Sequence, residues 1–201
     1  MMTDSQLIRE IKDGRIEYYA ELIRRYERRI LAFILHMLKS YHMEDQAEDL
    51  AQETFYKAFR NLQSFRDVEA SFSTWLYTIA RNTVLSELRK SRNSEVYLED
   101  NNQQPARIST DRLPEQELLR TERVDLVRRA INQLPEKQRT ALILREYEQL
   151  DYKEIADILD TTISSVKSLL FRARGSIKSQ LEPYILDSND ERVKGVASNG
   201  L

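Results

Sequence analysis

The sequence predicts an all-α protein of two small helical domains joined by a flexible linker, the C-terminal one a helix-turn-helix. Apolar residues recur at helical spacing through most of the chain, whereas the alternation with turn glycines that is typical of strands is absent. A polar stretch, 93–114, carries Pro105 and Pro114 and separates two such regions. A length of 201 residues with 32% charged residues suits two small domains better than one large core.

Residues 1–92 are expected to form the first domain. Their periodicity predicts helices over about 4–12, 16–38, 44–62 and 73–90. The fourth helix is expected to bury one stripe of small and apolar side chains, namely Leu76, Ile79, Ala80, Thr83, Val84 and Leu88.

Residues 115–182 are expected to form the second domain, with helices over about 115–133, 136–147, 152–159 and 163–181. Pro135 falls in a first helical turn, where proline is tolerated, and Pro183 is expected to stop the last helix. The polar residues 183–201 are expected to form a disordered tail.

The last two predicted helices have the pattern of a DNA-binding helix-turn-helix. Asp151 and Glu154 have capping-box spacing at the start of the first helix, and acidic residues crowd this helix but are absent from 163–181. The outward residues of the second helix are positive, aromatic or small: Ser164, Ser165, Lys167, Ser168, Phe171, Arg172, Arg174 and Lys178. Small hydroxyls can approach base edges in the major groove while cations reach phosphates or guanine. The alternative is a helical hairpin with a solvated basic surface.

A second candidate DNA surface lies on the fourth helix of the first domain. The residues expected on or beside its exposed face are Trp75, Thr78, Arg81, Asn82, Arg89, Lys90 and Arg92. Aromatic rings stack on unpaired bases, asparagine can bind a base edge, and cations follow a phosphate backbone, so this face suits single-stranded or opening DNA. Trp75 and Tyr77 have a competing interpretation as core aromatics.

Composition narrows the class of function. The chain has no cysteine, and His36 and His42 have no third ligand nearby, so no metal site is expected. Gly14 and Gly175 are the only glycines in the predicted folded regions, so no glycine-rich phosphate loop and no cofactor are expected. The N-terminus lacks signal-peptide features and the apolar run 30–38 is too short to cross a membrane, which predicts a cytoplasmic protein without membrane insertion. A formal net charge of -2 confines nucleic-acid contacts to local patches.

Two blocks of the sequence occur in a fixed order. The N-terminal block reads AEDLAQETFYKAFRNLQSF at 47–65 and FSTWLYTIARN at 72–82. The C-terminal block reads LPEKQRTALILREYEQLDYKEIADIL at 134–159 and SSVKSLLFRAR at 164–174. In these blocks the chain resembles bacterial RNA polymerase sigma factors of the extracytoplasmic-function group. The resemblance implies a non-catalytic sigma factor that binds core RNA polymerase and directs promoter recognition and transcription initiation. It implies three partners: core RNA polymerase, promoter DNA and an anti-sigma factor.

The resemblance also implies roles for individual residues, with residues 1–92 corresponding to sigma region 2 and 115–182 to sigma region 4. The polymerase-binding residues would be Asp49, Gln52, Glu53 and Tyr56, which could equally form a solvated helix face. The residues for recognition and melting of the minus-ten element would be Phe65, Trp75, Arg81, Asn82 and Arg89. Phe65 could be loop core or the wall of a pocket for an extruded base. The minus-thirty-five element would be read by Ser164, Ser165, Lys167, Ser168, Phe171, Arg172 and Arg174.

Several positions differ from residues that are frequent in the family. Glycine is frequent where Asp160 stands, proline where Thr162 stands, and Gly-Thr where Ser164 and Ser165 stand. Leu169 replaces a frequent arginine, and Ser86 replaces a common aspartate. The helix-turn-helix prediction is unaffected, but no base preference can be transferred.

Two other classes of function stay open. A transcription regulator would use the same helix-turn-helix as a dimer on duplex DNA, but it would need a sensor or dimerisation domain that the first domain does not resemble. A helical enzyme would need paired catalytic carboxylates, for which Glu48 and Asp49 are candidates. Adjacent residues on a helix point about a quarter-turn or more apart, and no metal partner or nucleophile accompanies these two.

Overall fold

The computed structural model describes residues 2–68, 70–95 and 115–197, and the surroundings of side chains within 2–68, 70–91 and 124–184. This part of the chain contains helices, turns and bends but no strand, which confirms the all-α prediction. The linker 93–114 lies almost wholly outside the described residues. The α-helices are α1 (Asp4–Lys12), α2 (Tyr19–Leu38), α3 (Ala47–Asn61), α4 (Phe72–Glu95), α5 (Glu115–Asn132), α6 (Glu136–Glu146), α7 (Tyr152–Leu159) and α8 (Ile163–Ala197).

Helices α1 to α4 form the N-terminal unit, in which α2 packs against α1, α3 and α4. The side chains of Leu22, Phe33 and Leu76 are fully buried at its centre. The buried stripe predicted for α4 is largely confirmed, since Leu76, Ala80 and Val84 are fully buried and Thr83 and Leu88 nearly so. Ile79 is only partly buried but packs against the same core.

Helices α5 to α8 form the C-terminal unit, in which α8 packs against α5, α6 and α7. Arg139 on α6 is 3% exposed and organises the end of α5. Its guanidinium donates to the carbonyl oxygens of Asn132 at 3.0 Å and Leu134 at 3.1 Å. Carbonyls at the end of a helix lack intrahelical partners, so this buried cation satisfies them and fixes the turn between α5 and α6.

The turn between α7 and α8 sets the direction in which α8 leaves. The capping box predicted at the beginning of α7 is present, because Asp151 accepts from the amide of Glu154 at 2.8 Å and Glu154 accepts from the amide of Asp151 at 2.9 Å. Asp160 ends α7 in the left-handed conformation with φ 49°, which asparagine and aspartate adopt more easily than most residues. The Thr162 hydroxyl then accepts from the amide of Ser165 at 3.2 Å and caps α8.

The prediction that Pro183 stops the last helix is wrong, because α8 continues through Pro183 to Ala197. A proline inside a helix removes one backbone hydrogen bond. The carbonyl that loses its partner is that of Ser179, four residues earlier, and Ser179 is exposed, so water can hydrate it. The predicted disordered tail 183–201 is therefore helical over 183–197, and 198–201 lie outside the described residues. None of the helices in the described part of the chain is long and apolar enough to cross a membrane.

The two units pack directly against each other, a contact that no pattern in the sequence indicates. Helix α4 lies against α7 and α2 lies against α6. The buried apolar residues of both units form one continuous cluster that includes Leu76 of α4, Ile143 of α6 and Ile155 of α7. Burial of apolar surface therefore contributes to holding the units together.

Candidate nucleic-acid interface

Helix α8 presents the predicted outward residues to solvent. Ser164, Lys167, Ser168, Phe171, Arg172 and Arg174 are exposed, and Ser165 is half-buried. The opposite side of the helix carries Val166, Leu170 and Ala173, which are buried against the rest of the unit. We name the exposed set, Ser164, Ser165, Lys167, Ser168, Phe171, Arg172 and Arg174, the recognition face.

The recognition face carries three cations and one largely exposed aromatic ring, that of Phe171. Phe171 is 80% exposed, which is unusual for so large an apolar side chain. Lys167 Nζ lies 6.0 Å from the centre of the Tyr152 ring, and the guanidinium of Arg174 pairs with Glu146 at 2.7 Å. Both cations are exposed, so these contacts can be exchanged for phosphate oxygens at little cost. The surface can therefore meet both the backbone and the base edges of a duplex.

The aromatic residues of the candidate melting site form a cluster rather than an open platform. The Phe65 ring is 4% exposed and lies 5.0 Å from Trp75 and 5.9 Å from Phe72, measured between ring centres. Lys12 Nζ donates to the Phe65 carbonyl oxygen at 2.6 Å and ties this loop to α1. Phe65 is thus part of the loop core in this structure, and the half-buried Trp75 completes the cluster.

Two of the three polar residues proposed for the melting site are exposed to solvent. Asn82 and Arg89 are exposed on α4, and Arg89 Nε donates to the Leu85 carbonyl at 3.1 Å. The side chain of Arg92 lies outside the described side chains. Asn82 and Arg89 therefore leave α4 with an accessible polar edge.

Arg81 does not lie on the exposed face predicted for it, and that expectation is wrong. The residue is 9% exposed, and its guanidinium pairs with the Glu136 carboxylate of α6 at 3.1 Å. The cause is the packing of the two units, which places the start of α6 over the middle of α4. A single-sequence pattern contains no information about that contact.

Helix α3 carries the residues proposed for polymerase binding on one side. Asp49, Gln52 and Tyr56 are exposed, and Glu53 is partly exposed and pairs with Lys57 at 2.7 Å. Beside them is an apolar groove of about 500 Å³ between α2 and α3, and Tyr56 is 60% exposed at its edge. The groove is lined by Ile16, Glu17, Tyr19, Ala20, Ile23, Gln52, Phe55, Tyr56 and Phe59. A large apolar groove rimmed by polar residues is typical of a protein-binding surface.

A polar cluster between the units was not predicted from the sequence. Glu148, in the turn after α6, is 9% exposed, and its carboxylate accepts from Arg29 Nε at 3.1 Å and from the Tyr77 hydroxyl. Burial and the hydrogen bond to Glu148 raise the pKa of Tyr77, which keeps this phenol protonated as a donor. No motif marks this cluster, because its members are 71 and 119 residues apart in sequence.

Two known families match the chain. The family described as Sigma-70 region 2 matches residues 22–94, and the family described as Sigma-70, region 4 matches residues 125–177. These segments include α3, nearly all of α2 and α4, and most of the C-terminal unit, so both candidate DNA surfaces fall within them.

Curated relatives match over nearly their whole length. The RNA polymerase sigma-H factor of Pseudomonas aeruginosa is 36% identical over 191 residues, which cover 92% of this chain and 97% of that protein. The ECF RNA polymerase sigma-E factor of Haemophilus influenzae is 35% identical over 190 residues, with 92% and 98% covered. The ECF RNA polymerase sigma factor SigW of Bacillus subtilis is 32% identical over 180 residues, with 87% and 94% covered.

Solved structures share the fold. The sigma factor RpoE in complex with the anti-sigma factor NepR from Bartonella quintana has a TM-score of 0.61 at 27% identity, with 82% of this chain and 96% of that chain covered. CnrH, in complex with the cytosolic domain of CnrY, has a TM-score of 0.59 at 19% identity, with 88% and 96% covered. At 19% identity, the similarity to CnrH shows a shared fold and nothing about function.

Proposed function

Because this chain belongs to the sigma-70 family of bacterial RNA polymerase sigma factors, in the extracytoplasmic-function group, and directs promoter recognition, we propose a division of that work between its units. Residues 1–92 bind core polymerase and recognise and melt the minus-ten element. Residues 115–182 recognise the minus-thirty-five element, and 93–114 link the two. The observation that carries this proposal is the recognition face of α8, which is exposed while the opposite side of the helix is buried.

We propose that the recognition face enters the major groove at the minus-thirty-five element. Ser164, Ser165 and Ser168 are small enough for the helix to approach base edges closely. Lys167, Arg172 and Arg174 supply the charge that positions the helix on the phosphates or binds guanine. Phe171, which is 80% exposed, contacts a thymine methyl group or a sugar in this proposal.

We propose that Asn82 and Arg89 contact the opened minus-ten strand. Both are exposed on one helix, and together they offer a base-directed amide and a phosphate-directed cation. Phe65 and Trp75 support this surface through their packing against Phe72. Arg81 joins the site only after its pair with Glu136 is broken.

We propose that Asp49, Gln52, Glu53 and Tyr56, with the adjoining apolar groove, bind core polymerase. Docking there would hold both DNA-reading units on one large body. Binding of one promoter element then raises the effective concentration of the other unit at its own element. Two units that each bind DNA weakly thereby recognise a promoter specifically, without any catalytic residue. We propose that this takes place in the bacterial cytoplasm. An anti-sigma factor is the proposed antagonist, as in the complex of the Bartonella quintana relative.

The function is tested by transcription with purified core polymerase and this protein. Sequencing the five-prime ends of the transcripts should give start sites that share two elements at a fixed spacing. Initiation that is equally strong and equally placed without the protein would contradict the function. Tight footprinting of duplex DNA by the protein alone would instead favour a dimeric regulator.

Replacing Asn82 with alanine should impair opening of the promoter. Loss of a base-directed hydrogen bond is expected to reduce open complexes about 5- to 10-fold, since such a bond contributes about 1 kcal/mol. Permanganate reactivity of thymines near the start site measures the opening. Gln133→Ala, at an exposed residue of the other unit, is the control. Normal opening in the Asn82 variant would show that residues other than Asn82 carry out promoter melting.

Replacing Tyr56 with alanine should weaken binding to core polymerase by about fivefold or more, because truncating an aromatic residue at the centre of an interface costs over about 1 kcal/mol. Tyr184→Ala is a matched control, since Tyr184 is 54% exposed on α8 and does not line the groove. Fluorescence anisotropy of labelled protein with core polymerase measures the affinity. Equal affinities of the two variants would show that the groove is not the docking site.

A further inference from the structure

One side chain of α1 contacts the loop that precedes α4. Lys12, the last residue of α1, is partly buried, and its Nζ donates to the carbonyl oxygen of Phe65 at 2.6 Å. A hydrogen bond from a cation is short and roughly twice as strong as one between neutral groups. Helix α1 is itself anchored in the core by Leu7, Ile8 and Ile11. The contact therefore fixes one point of the loop to an element that does not move with it.

The backbone of Phe65 and its ring are fixed by different partners. The ring packs in the aromatic cluster with Phe72 and Trp75, but that packing leaves the carbonyl free to rotate. Phe65 follows the short helical turn Leu62–Ser64 in an extended conformation, with φ −63° and ψ 136°, and there its carbonyl accepts from Lys12. A carbonyl and the next amide lie in one plane, so the direction of this carbonyl sets the direction in which the chain continues.

The exposed residues of the loop lie between two fixed points of the chain. The first is Phe65, whose side chain is 4% exposed. The second is Ser71, whose hydroxyl accepts from the amide of Thr74 at 3.1 Å and caps α4. Residues 66–68 between them are exposed, and the exposure of Val68 reaches 88%. These side chains are thus presented to solvent from a backbone that is held on both sides.

We propose that Lys12 is a positioning residue for recognition of the minus-ten element, acting through the Phe65 carbonyl to hold residues 66–68 where they contact an unpaired base. The proposal rests on the role given above to residues 1–92 at that element. Ordering a loop during binding costs conformational entropy, so a loop that is ordered beforehand binds its ligand more tightly. Lys12 lowers this cost without touching the DNA.

Residues 66–68 come just before the helix whose surface is proposed to bind the opened strand. Asn82 lies ten residues beyond Phe72, the first residue of α4, which is about 15 Å along the helix axis. About four nucleotides cover that length at 3.4 Å each. A short single strand is therefore long enough to contact the loop and Asn82 together. Displacing the loop would change the base contacts of 66–68 while Asn82 keeps its own.

A direct contact between Lys12 and a phosphate is the alternative, and salt separates the two. A cation that neutralises one phosphate of a single strand contributes about 0.7 to the logarithmic salt dependence of binding. It also strengthens binding to every sequence alike, because phosphates carry no sequence information. A positioning residue leaves the salt dependence unchanged and alters the discrimination between bases.

The hold on the loop is tested by nuclear magnetic resonance relaxation of the free protein. Lys12→Met removes the donor but keeps a long side chain, and Lys12→Arg retains a cationic donor. The backbone order parameters of residues 66–68 should lie above about 0.8 in the unaltered protein and fall below about 0.6 in Lys12→Met. Lys12→Arg should retain the higher values. An equal fall in Lys12→Arg would show that the donated hydrogen bond is not the cause.

Lys39→Met is the matched control, and Trp75 reports on the integrity of the cluster. Lys39 is also partly buried, but it lies about 20 Å along α2 from Tyr26, whose ring packs on Phe72. Its replacement should leave the order parameters of the loop unchanged. Trp75 is the only tryptophan of the chain, so its emission should be the same in all variants if the rings stay packed. A shifted emission in Lys12→Met would reveal a general structural role instead of a positioning role.

Recognition is tested with core polymerase on a promoter taken from the mapped start sites, with each base pair of the minus-ten element changed in turn. Lys12→Met should lose about fivefold or more of the discrimination at one or more of these positions, the lower end of the range for one base contact. Discrimination at the minus-thirty-five element and affinity for core polymerase should be unchanged. Lys12→Arg and Lys39→Met should discriminate as the unaltered protein does.

Three further results would overturn the role of Lys12. Unchanged order parameters in Lys12→Met would show that this residue does not hold the loop. Lower order parameters with unchanged discrimination would show that the hold does not serve recognition. A uniform loss of binding, with a salt dependence flatter by about 0.7, would show a direct phosphate contact. Failure of the proposed function is separate, since the unaltered protein would then not discriminate between minus-ten sequences, whatever the order parameters of the free protein.

Discussion

Leu22→Ala should destabilise the protein by about 2–5 kcal/mol, the range for truncating a fully buried leucine. Leu22 is 0% exposed on α2, the helix against which α1, α3 and α4 pack. The loss combines the transfer free energy of the removed carbons with the cavity that they leave. Urea unfolding followed by circular dichroism measures the change, and an unaltered dependence on urea would show that the unfolded state is comparable.

Leu35→Ala on the same helix is the matched control. Leu35 is 37% exposed, so the same chemical change should lower the free energy of unfolding by only about 1 kcal/mol. Helix propensity changes equally in both variants, and only burial distinguishes them. Similar losses at the two positions would contradict the assignment of Leu22 to the centre of the core.

Replacing Lys167 and Arg172 together with alanine should abolish most promoter discrimination while leaving affinity for core polymerase intact. Each base-directed contact contributes about 1–3 kcal/mol, which corresponds to about 5- to 150-fold in binding. A lost phosphate contact also flattens the salt dependence, by about 0.9 in logarithmic slope on duplex DNA. Both residues lie on the recognition face and are exposed, so the protein should fold as before. Start-site profiles with core polymerase report the discrimination.

The double variant R128A/K137A is the control for charge, because Arg128 and Lys137 are exposed and are not part of the recognition face. Its start-site profile should match that of the unaltered protein. Unchanged profiles in the Lys167 and Arg172 double variant would remove these two residues from promoter reading, whatever its affinity for polymerase. Anisotropy with core polymerase, run in parallel, separates a recognition defect from a docking defect.

The helices could be located from the sequence because each carries its own local signal. The capping box of Asp151 and Glu154 begins α7 where the spacing predicts it, and α1 has the predicted bounds. The exposed side of α8 followed from the spacing of Val166, Leu170 and Ala173 on its buried side. The end of α8 was not predicted correctly, because the helix continues through Pro183. A single proline is a weaker signal than the helix-forming residues around it.

The misplacement of Arg81 has a different cause. Periodicity identifies which side of α4 packs within its own unit, but it contains nothing about a second unit that covers the other side. Arg81 is polar and lies beside the exposed Asn82, so local pattern places it in solvent. Glu136, 55 residues away, pairs with it only in the folded chain. Contacts of this kind require the three-dimensional arrangement.

The two candidate DNA surfaces are covered unequally by the packing of the units. Arg81 is held by Glu136, whereas α8 presents Lys167, Phe171 and Arg172 to solvent. Asn82 and Arg89 stay exposed beside the covered Arg81. In this conformation α4 therefore lends one of its cations to the neighbouring unit, while α8 keeps the three cations of the recognition face exposed.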